Sequence, residues 1–65
     1  MNLNGALERA RNLEILCQEN QHYQLKAICL LNASRLYWQC GEEYRNKADE
    51  CRDDAIFFRD ISDDE

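Results

Sequence analysis

The side chains that could carry chemistry in this 65-residue chain are four cysteines and one histidine. The cysteines stand at Cys17, Cys29, Cys40 and Cys51, so consecutive members are 12, 11 and 11 residues apart. Structural zinc sites are built on much closer pairs, with two to four residues between the cysteines. The sequence therefore predicts no metal site.

Disulfides are the other chemistry that four cysteines allow. Joining the outermost two and the innermost two would suit an antiparallel helical hairpin. However, the first ten residues are polar and carry two charges, unlike a secretory signal peptide. We therefore expect a cytoplasmic protein with reduced thiols, which are buried as small hydrophobic groups.

The remaining polar residues do not form a catalytic arrangement. His22 stands in a polar stretch without a cysteine, a serine or a paired acid at a catalytic spacing. Glu42 and Glu43 could suggest acid–base chemistry, but adjacent residues of a helix point in different directions and cannot flank one substrate. We expect neither an enzyme nor a bound cofactor.

The net charge of −5 is unevenly distributed. Residues 1–40 hold three acids and four bases, whereas residues 41–65 hold ten acids and four bases. Affinity for nucleic-acid phosphates depends on cationic contacts, so direct binding to nucleic acid is not expected. Asp49, Asp53 and Asp54 lie where like-charge repulsion and the helix dipole oppose them. We interpret them either as contacts for a basic surface of a partner protein or as solubilising charges.

Helices must position all these residues, because the apolar pattern has a helical period. Small residues recur at every seventh position, and each is followed three residues later by a larger apolar one. The small residues are Ala27, Ser34, Gly41, Ala48 and Ala55, and the larger ones are Leu30, Tyr37, Tyr44, Cys51 and Phe58. This pattern predicts a seam where helix backbones approach closely.

The sequence predicts an all-α fold of three antiparallel helices at about 4–19, 22–40 and 42–60, with the middle helix central. Gly41 either ends the second helix or lies inside one long helix over 22–60, which would have to dimerise. We expect residues 1–60 to form a single helical domain and residues 61–65 to form an acidic disordered tail.

Three apolar side chains are candidates for contact with other molecules: Trp38, Phe57 and Ile61. The middle helix and Phe57 offer more apolar surface than two short neighbours can cover, in a chain too small for a large core. We therefore expect a homodimer. No run of residues approaches the ~20 apolar residues of a membrane span, so no membrane contact is expected.

Residues 27–55 resemble one helical hairpin of the tetratricopeptide repeat family. Leu30, Ser34, Tyr37 and Gly41 have the spacing of the first helix of that repeat, and Ala48 and Ala55 have the seven-residue spacing of the second. The chain has two more residues between Gly41 and Ala48 than the repeat has, and it lacks the closing proline. The resemblance implies a role in binding proteins or peptides.

Two functions therefore stand as hypotheses. The first is a small non-enzymatic protein-binding module, an adaptor or an inhibitor, that acts through its helical surfaces. The alternative is an acidic mimic of nucleic acid, possibly phage-encoded, that inhibits a DNA- or RNA-binding protein. The first hypothesis places the binding energy in Trp38 and Phe57, and the second places it in the acids.

Overall fold

Three α-helices and one short 3₁₀ turn make up the protein in a computed structural model, which describes residues 3–64. The helix α1 spans Leu3–Glu19, α2 spans Tyr23–Gln39, the 3₁₀ turn spans Glu42–Tyr44 and α3 spans Arg45–Asp64. The all-α fold and its division into three helices are confirmed.

Both turns lie where the sequence indicated a break. Between α1 and α2, the backbone N–H of His22 donates to Oδ1 of Asn20 at 2.9 Å, a local bond typical of turns. Between α2 and α3, Gly41 has φ 112° and ψ −177°, a conformation that is almost exclusive to glycine. The continuous helix over 22–60 therefore does not form.

The C-terminal end of α3 corrects one prediction. Residues 61–64 are helical, so a disordered tail over 61–65 is wrong for these four residues, while Glu65 lies outside the described residues. The physical reason is support from α2: Ser62 and Asp63 lie beside Gln24 and Ile28, and Ile61 is half-buried. A helix end with a packed neighbour does not fray as an isolated end would.

The helix α2 is central, as predicted, because it packs against both α1 and α3. Within residues 3–64, no Cα atom of α1 lies within 8 Å of a Cα atom of α3. The outer helices therefore flank α2 and meet each other only through side chains. The molecule is elongated, with extents of 38 × 19 × 14 Å.

The predicted seam is present between α2 and α3. Ala27, Ala48 and Ala55 are 3%, 1% and 1% exposed, and Oγ of Ser34 donates to the backbone carbonyl of Ala48 at 2.7 Å. A side-chain hydroxyl can reach the opposite backbone only where small residues let the helices approach. Ala33 is also fully buried, but it was not predicted as part of the seam because it lies on a different face of α2.

The core combines small buried side chains with larger apolar ones that pack against them while only partly buried: Leu7, Leu13, Leu31, Leu36, Tyr44 and Phe58. Its buried members are mostly small: Ala6, Ala10, Cys17, Ala27, Leu30, Ala33, Tyr37, Ala48, Cys51 and Ala55. Burying an alanine removes much less apolar area from water than burying a leucine or phenylalanine. Specific polar links between the helices therefore matter more here than in a domain with a large core.

Candidate functional site

A groove lies between α2 and α3, and we call it the outer groove. Near the Gly41 turn it is lined by Ser34, Arg35, Trp38, Gln39, Asp49 and Arg52. Near the other end it is lined by Gln24, Ala27, Ile28, Leu31, Arg59, Ser62 and Asp63. All of these residues come from α2 and α3, so α1 does not contribute to it.

Helical periodicity makes the two ends one continuous surface. On α2, Gln24, Ile28, Leu31, Arg35 and Trp38 follow one another at intervals of three or four, which keeps them on one face. On α3, Ile56 lies four residues after Arg52 and three before Arg59. Ile56 therefore lies on the same stripe of α3 as these arginines, and it is 45% exposed.

Large apolar side chains occur along the whole length of the outer groove. Ile28 is 47% exposed and Trp38 is 52% exposed, while Leu31 between them is half-buried. Together with Ile56 they form an apolar strip in contact with solvent, which Arg35 interrupts between Leu31 and Trp38. Large exposed apolar side chains that share one groove mark interaction sites more often than scattered single residues do.

Arginines border the apolar strip. Arg45, Arg52 and Arg59 are seven residues apart on α3, so they form one row, and Arg35 lies opposite them on α2. All four are exposed. The guanidinium of Arg45 lies 4.5 Å from the centre of the Trp38 ring, a distance that favours a cation–π contact.

The acids in the outer groove do not neutralise this row. The closest approach of Arg52 to Asp49 is 4.0 Å, between side chains that are 61% and 55% exposed. Such an exposed pair is weak. Asp63 is the other acid that lines the groove. The described lining thus holds three arginines, Arg35, Arg52 and Arg59, and two aspartates, and Arg45 lies beside Trp38.

The opposite flank of α3 holds a closed polar cluster, which we call the Glu14 junction. The Tyr37 hydroxyl donates to Oε2 of Glu14. Lys47 Nζ lies 2.9 Å from Oε1 of the same carboxylate, and the Cys51 thiol approaches that oxygen at 3.7 Å. One carboxylate of α1 thus links α2 to α3 across the space between α1 and α3.

The pKa values in the junction follow from these contacts. Burial alone would raise the pKa of Glu14, but hydrogen bonds from Tyr37 and Lys47 and the charge of Lys47 outweigh it, so the pKa lies below its ordinary value of 4.5. The bond to Glu14 raises the pKa of Lys47. Burial, followed by the carboxylate, raises the pKa of Tyr37 well above its ordinary range. The junction is therefore ionised at neutral pH, with Tyr37 as the donor.

The buried thiols are unsuited to nucleophilic chemistry. Burial, with the Glu14 carboxylate beside it, raises the pKa of Cys51 to about 12, and burial also raises the pKa of Cys17. A protonated thiol is a poor nucleophile. All four cysteines are free thiols in the structure. The prediction of buried thiols is confirmed for these two and wrong for Cys29 and Cys40, which are half-buried.

The structure does not bring the predicted interaction residues together. Trp38 and Asp49 line the outer groove, whereas Phe57 is 60% exposed on another face of α3. Asp54 lies between α1 and α3 with Cys17 among its neighbours.

The remaining two candidates are also separate from Trp38. Asp53 is exposed and Ile61 is half-buried, and neither lines the outer groove. The three predicted acids do not share one face, because adjacent helical residues point about 100° apart. Asp54 therefore turns towards α1 while Asp53 remains in solvent.

The arginine row and the Glu14 junction were not predicted from the sequence. The spacing of Arg45, Arg52 and Arg59 was a usable signal, because it repeats the seven-residue period of the seam. It was overlooked because acids outnumber bases ten to four in residues 41–65. Glu14 carried no comparable signal, since its partners lie 23 and 37 residues away along the chain.

The described part of the chain offers no helix that is both long enough and apolar enough to cross a lipid bilayer. His22 is exposed in the α1–α2 turn, and Glu42 and Glu43 are exposed in the 3₁₀ turn. Neither a known protein family, nor a characterised protein, nor a solved structure matches this chain.

Proposed function

We propose that this protein is a non-catalytic binding module, an adaptor or an inhibitor, that engages another protein through the outer groove. The observation that carries this proposal is Trp38, the only tryptophan of the chain. Half of its surface stays in solvent although a groove wall lies beside it. Tryptophan and arginine are enriched among the residues that dominate protein–protein binding energy, and Arg45 stacks on Trp38.

The division of labour between the two flanks of α3 supports the proposal. The Glu14 junction links side chains of all three helices, whereas the charged side chains of the outer groove make exposed contacts, Arg52 with Asp49 and Arg45 with Trp38. A partner in the groove would therefore replace weak contacts and leave the Glu14 junction and the Ser34–Ala48 hydrogen bond in place. The resemblance of residues 27–55 to a tetratricopeptide hairpin points to the same kind of function.

The test uses two matched variants, Trp38→Ala and Ile15→Ala. Ile15 is 51% exposed on α1, close to the 52% of Trp38, and it lies outside the groove. We expect immobilised wild type and Ile15→Ala to retain one common cellular protein that Trp38→Ala loses. Titration calorimetry with the purified partner should then reproduce the difference. Identical captured proteins for all three would contradict the proposal.

The acidic mimic of nucleic acid is the second candidate, because Asp53 is exposed on α3 and lies three residues after Glu50, which is also exposed. This reading predicts that changing Asp49, Asp53 and Asp54 together to Asn leaves folding intact and abolishes binding. It also predicts that salt slows association strongly. The arginine row argues against it, since a mimic of phosphates works best with uninterrupted negative charge. A partner that binds wild type and the triple variant equally well would eliminate this candidate.

A further inference from the structure

The arginine row in a chain of net charge −5 is the feature that the proposed function leaves unexplained. Resting on that function, we infer that the outer groove receives an amphipathic helix of a partner protein, whose apolar face is bordered by Asp and Glu. The partner surface would thus be acidic at the contact, opposite to what the net charge of this chain suggests.

The shape of the outer groove suits a helix. It lies between two antiparallel helices and extends from Gln24 to Gln39 on α2. At 1.5 Å per residue, this length is about 22 Å and corresponds to roughly four turns of a partner helix. Docking of an amphipathic helix into a groove between helices is a recurring mode of recognition.

The apolar strip offers contacts at the spacing that a helix presents. Ile28, Leu31 and Trp38 follow one another along α2, and the helical period places Ile56 on the α3 stripe between Arg52 and Arg59. A partner helix with an apolar face would contact Ile28 and Leu31 together and Trp38 about two turns further along. This geometry selects a continuous apolar stripe and not a single anchoring residue.

The arginines of the outer groove favour acidic residues beside the apolar stripe of the partner helix. Arg35 lies on α2 between Leu31 and Trp38. Arg52 and Arg59 line the groove from α3, and Arg45 of the same row lies beside Trp38. Guanidinium groups bind carboxylates with two parallel hydrogen bonds. Acids on both sides of the partner's apolar stripe would therefore find partners that the fold does not supply.

A second copy of the chain is a poorer fit to the outer groove. The acidic outer face of α3 carries Asp53 and Asp60, and Phe57 is its one large exposed apolar side chain. In a two-fold dimer the groove would face its own copy, which would bring two rows of arginines together. Two chains of net charge −5 also repel each other at long range.

The test uses two synthetic helical peptides of about 16 residues with leucines on one face. All flanking positions are Glu in one peptide and Lys in the other, and neither peptide contains Trp or Tyr. Emission from Trp38 then reports occupancy directly, because the protein has no other tryptophan. We expect the Glu peptide to shift the emission to shorter wavelength and to bind at least ~10-fold more tightly than the Lys peptide, with an affinity that falls as salt rises.

Charge-reversed variants locate the contact. The double variant Arg52→Glu/Arg59→Glu should weaken the Glu peptide at least ~10-fold and strengthen the Lys peptide. The matched control is Arg9→Glu/Arg11→Glu, which makes the same change in net charge at exposed residues of α1. We expect the control to bind like wild type. Melting temperatures of both variants verify that the fold is retained.

Three outcomes would overturn the inference: equal affinity for the two peptides, equal weakening by the two double variants, or a dimer in sedimentation that only Arg52→Glu/Arg59→Glu dissociates. The last would assign the groove to a second copy. If a Trp38-dependent cellular partner binds through a basic segment, the inference fails and the binding module stands. If no partner depends on Trp38, the proposed function itself fails.

Discussion

The two flanks of α3 use charge in opposite ways. On the flank that faces α1, Glu14 accepts from Tyr37 and Lys47, so a single carboxylate satisfies groups from both other helices. On the outer flank, Arg52 reaches Asp49 only at 4.0 Å and both remain mostly in solvent. The first arrangement links the helices, and the second leaves its charges available.

This difference shows that composition is a poor guide to the local charge of a small helical protein. One helix of 20 residues carries both flanks, and the helical period alone separates them. The net charge suggests a basic partner, whereas the concave surface itself is basic and apolar. Measurements that treat the two flanks separately are therefore the most informative.

The largest effect is expected at the seam that separates the flanks. Ala48→Leu should lower the free energy of unfolding by about 2–3 kcal/mol, because Ala48 is 1% exposed and a branched side chain overpacks the contact. Thermal unfolding measures it. The control Arg52→Leu changes an exposed residue of the next turn, and equal melting temperatures for the two variants would contradict the seam.

Removal of one hydroxyl from the Glu14 junction should have the next largest effect. Tyr37→Phe should cost about 1–2 kcal/mol, since a hydrogen bond to a carboxylate is lost inside the fold. Urea titration with a common slope measures the difference. The control is Tyr23→Phe, whose ring stacks on Phe58 at 5.9 Å, away from the junction. An equal decrease in the free energy of unfolding for Tyr23→Phe would show that the hydrogen bond to Glu14 contributes no more than an ordinary tyrosine hydroxyl.

Acid should remove the contribution of Glu14 to the stability of the fold. The pKa of Glu14 is lowered in the folded state, so its contribution to stability is present above the ordinary value of 4.5 and is lost as pH falls through the folded pKa. We expect Glu14→Gln to be less stable than wild type at neutral pH, with the gap closing in acid. Urea midpoints between pH 7 and about 2 test this. A gap that is independent of pH would contradict the ionised junction.

The smallest effect on stability is expected in the outer groove. Trp38→Ala and Arg52→Ala should each change the free energy of unfolding by less than about 1 kcal/mol, because Trp38 is 52% exposed and the contacts of Trp38 with Arg45 and of Arg52 with Asp49 are exposed and weak. Chemical denaturation of both variants measures this. A larger loss in either variant would place the groove among the structural elements and weaken its assignment as a binding surface.

The fold was predictable because the seam is a local, periodic pattern. Ala27, Ala48 and Ala55 repeat at multiples of seven residues, and the sequence alone therefore indicates both the helices and their contact. The Gly41 turn was less certain, since the repeat continues through it without interruption. Its positive φ is a property of the folded backbone, and glycine permits that conformation without requiring it.

The candidate site was only half predictable. Trp38 was found because a large aromatic residue beside a helix end is conspicuous, whereas the Glu14 junction was missed because its bonds join residues far apart in sequence. The grouping of Asp49 with Asp54 failed for a related reason. Neighbours in sequence do not share a face of a helix, and which face meets α1 depends on how the helices are packed.

The turn at Gly41 has a consequence for assembly. The seven-residue register passes unbroken from Ser34 through Gly41 to Ala48, so a straightened connection would display both halves of the seam on one side of a single long helix. Any other residue at 41 is strained by the φ of 112°, although nothing stands within 4 Å of an added Cβ. A β-branched residue there would relieve that strain by opening the hairpin, and two opened chains could re-form each α2–α3 contact by exchanging their α3 helices. Domain swapping of this kind is a known outcome of altered hinges. In this chain, Gly41 disfavours it because glycine adopts the backbone conformation of the closed turn without strain.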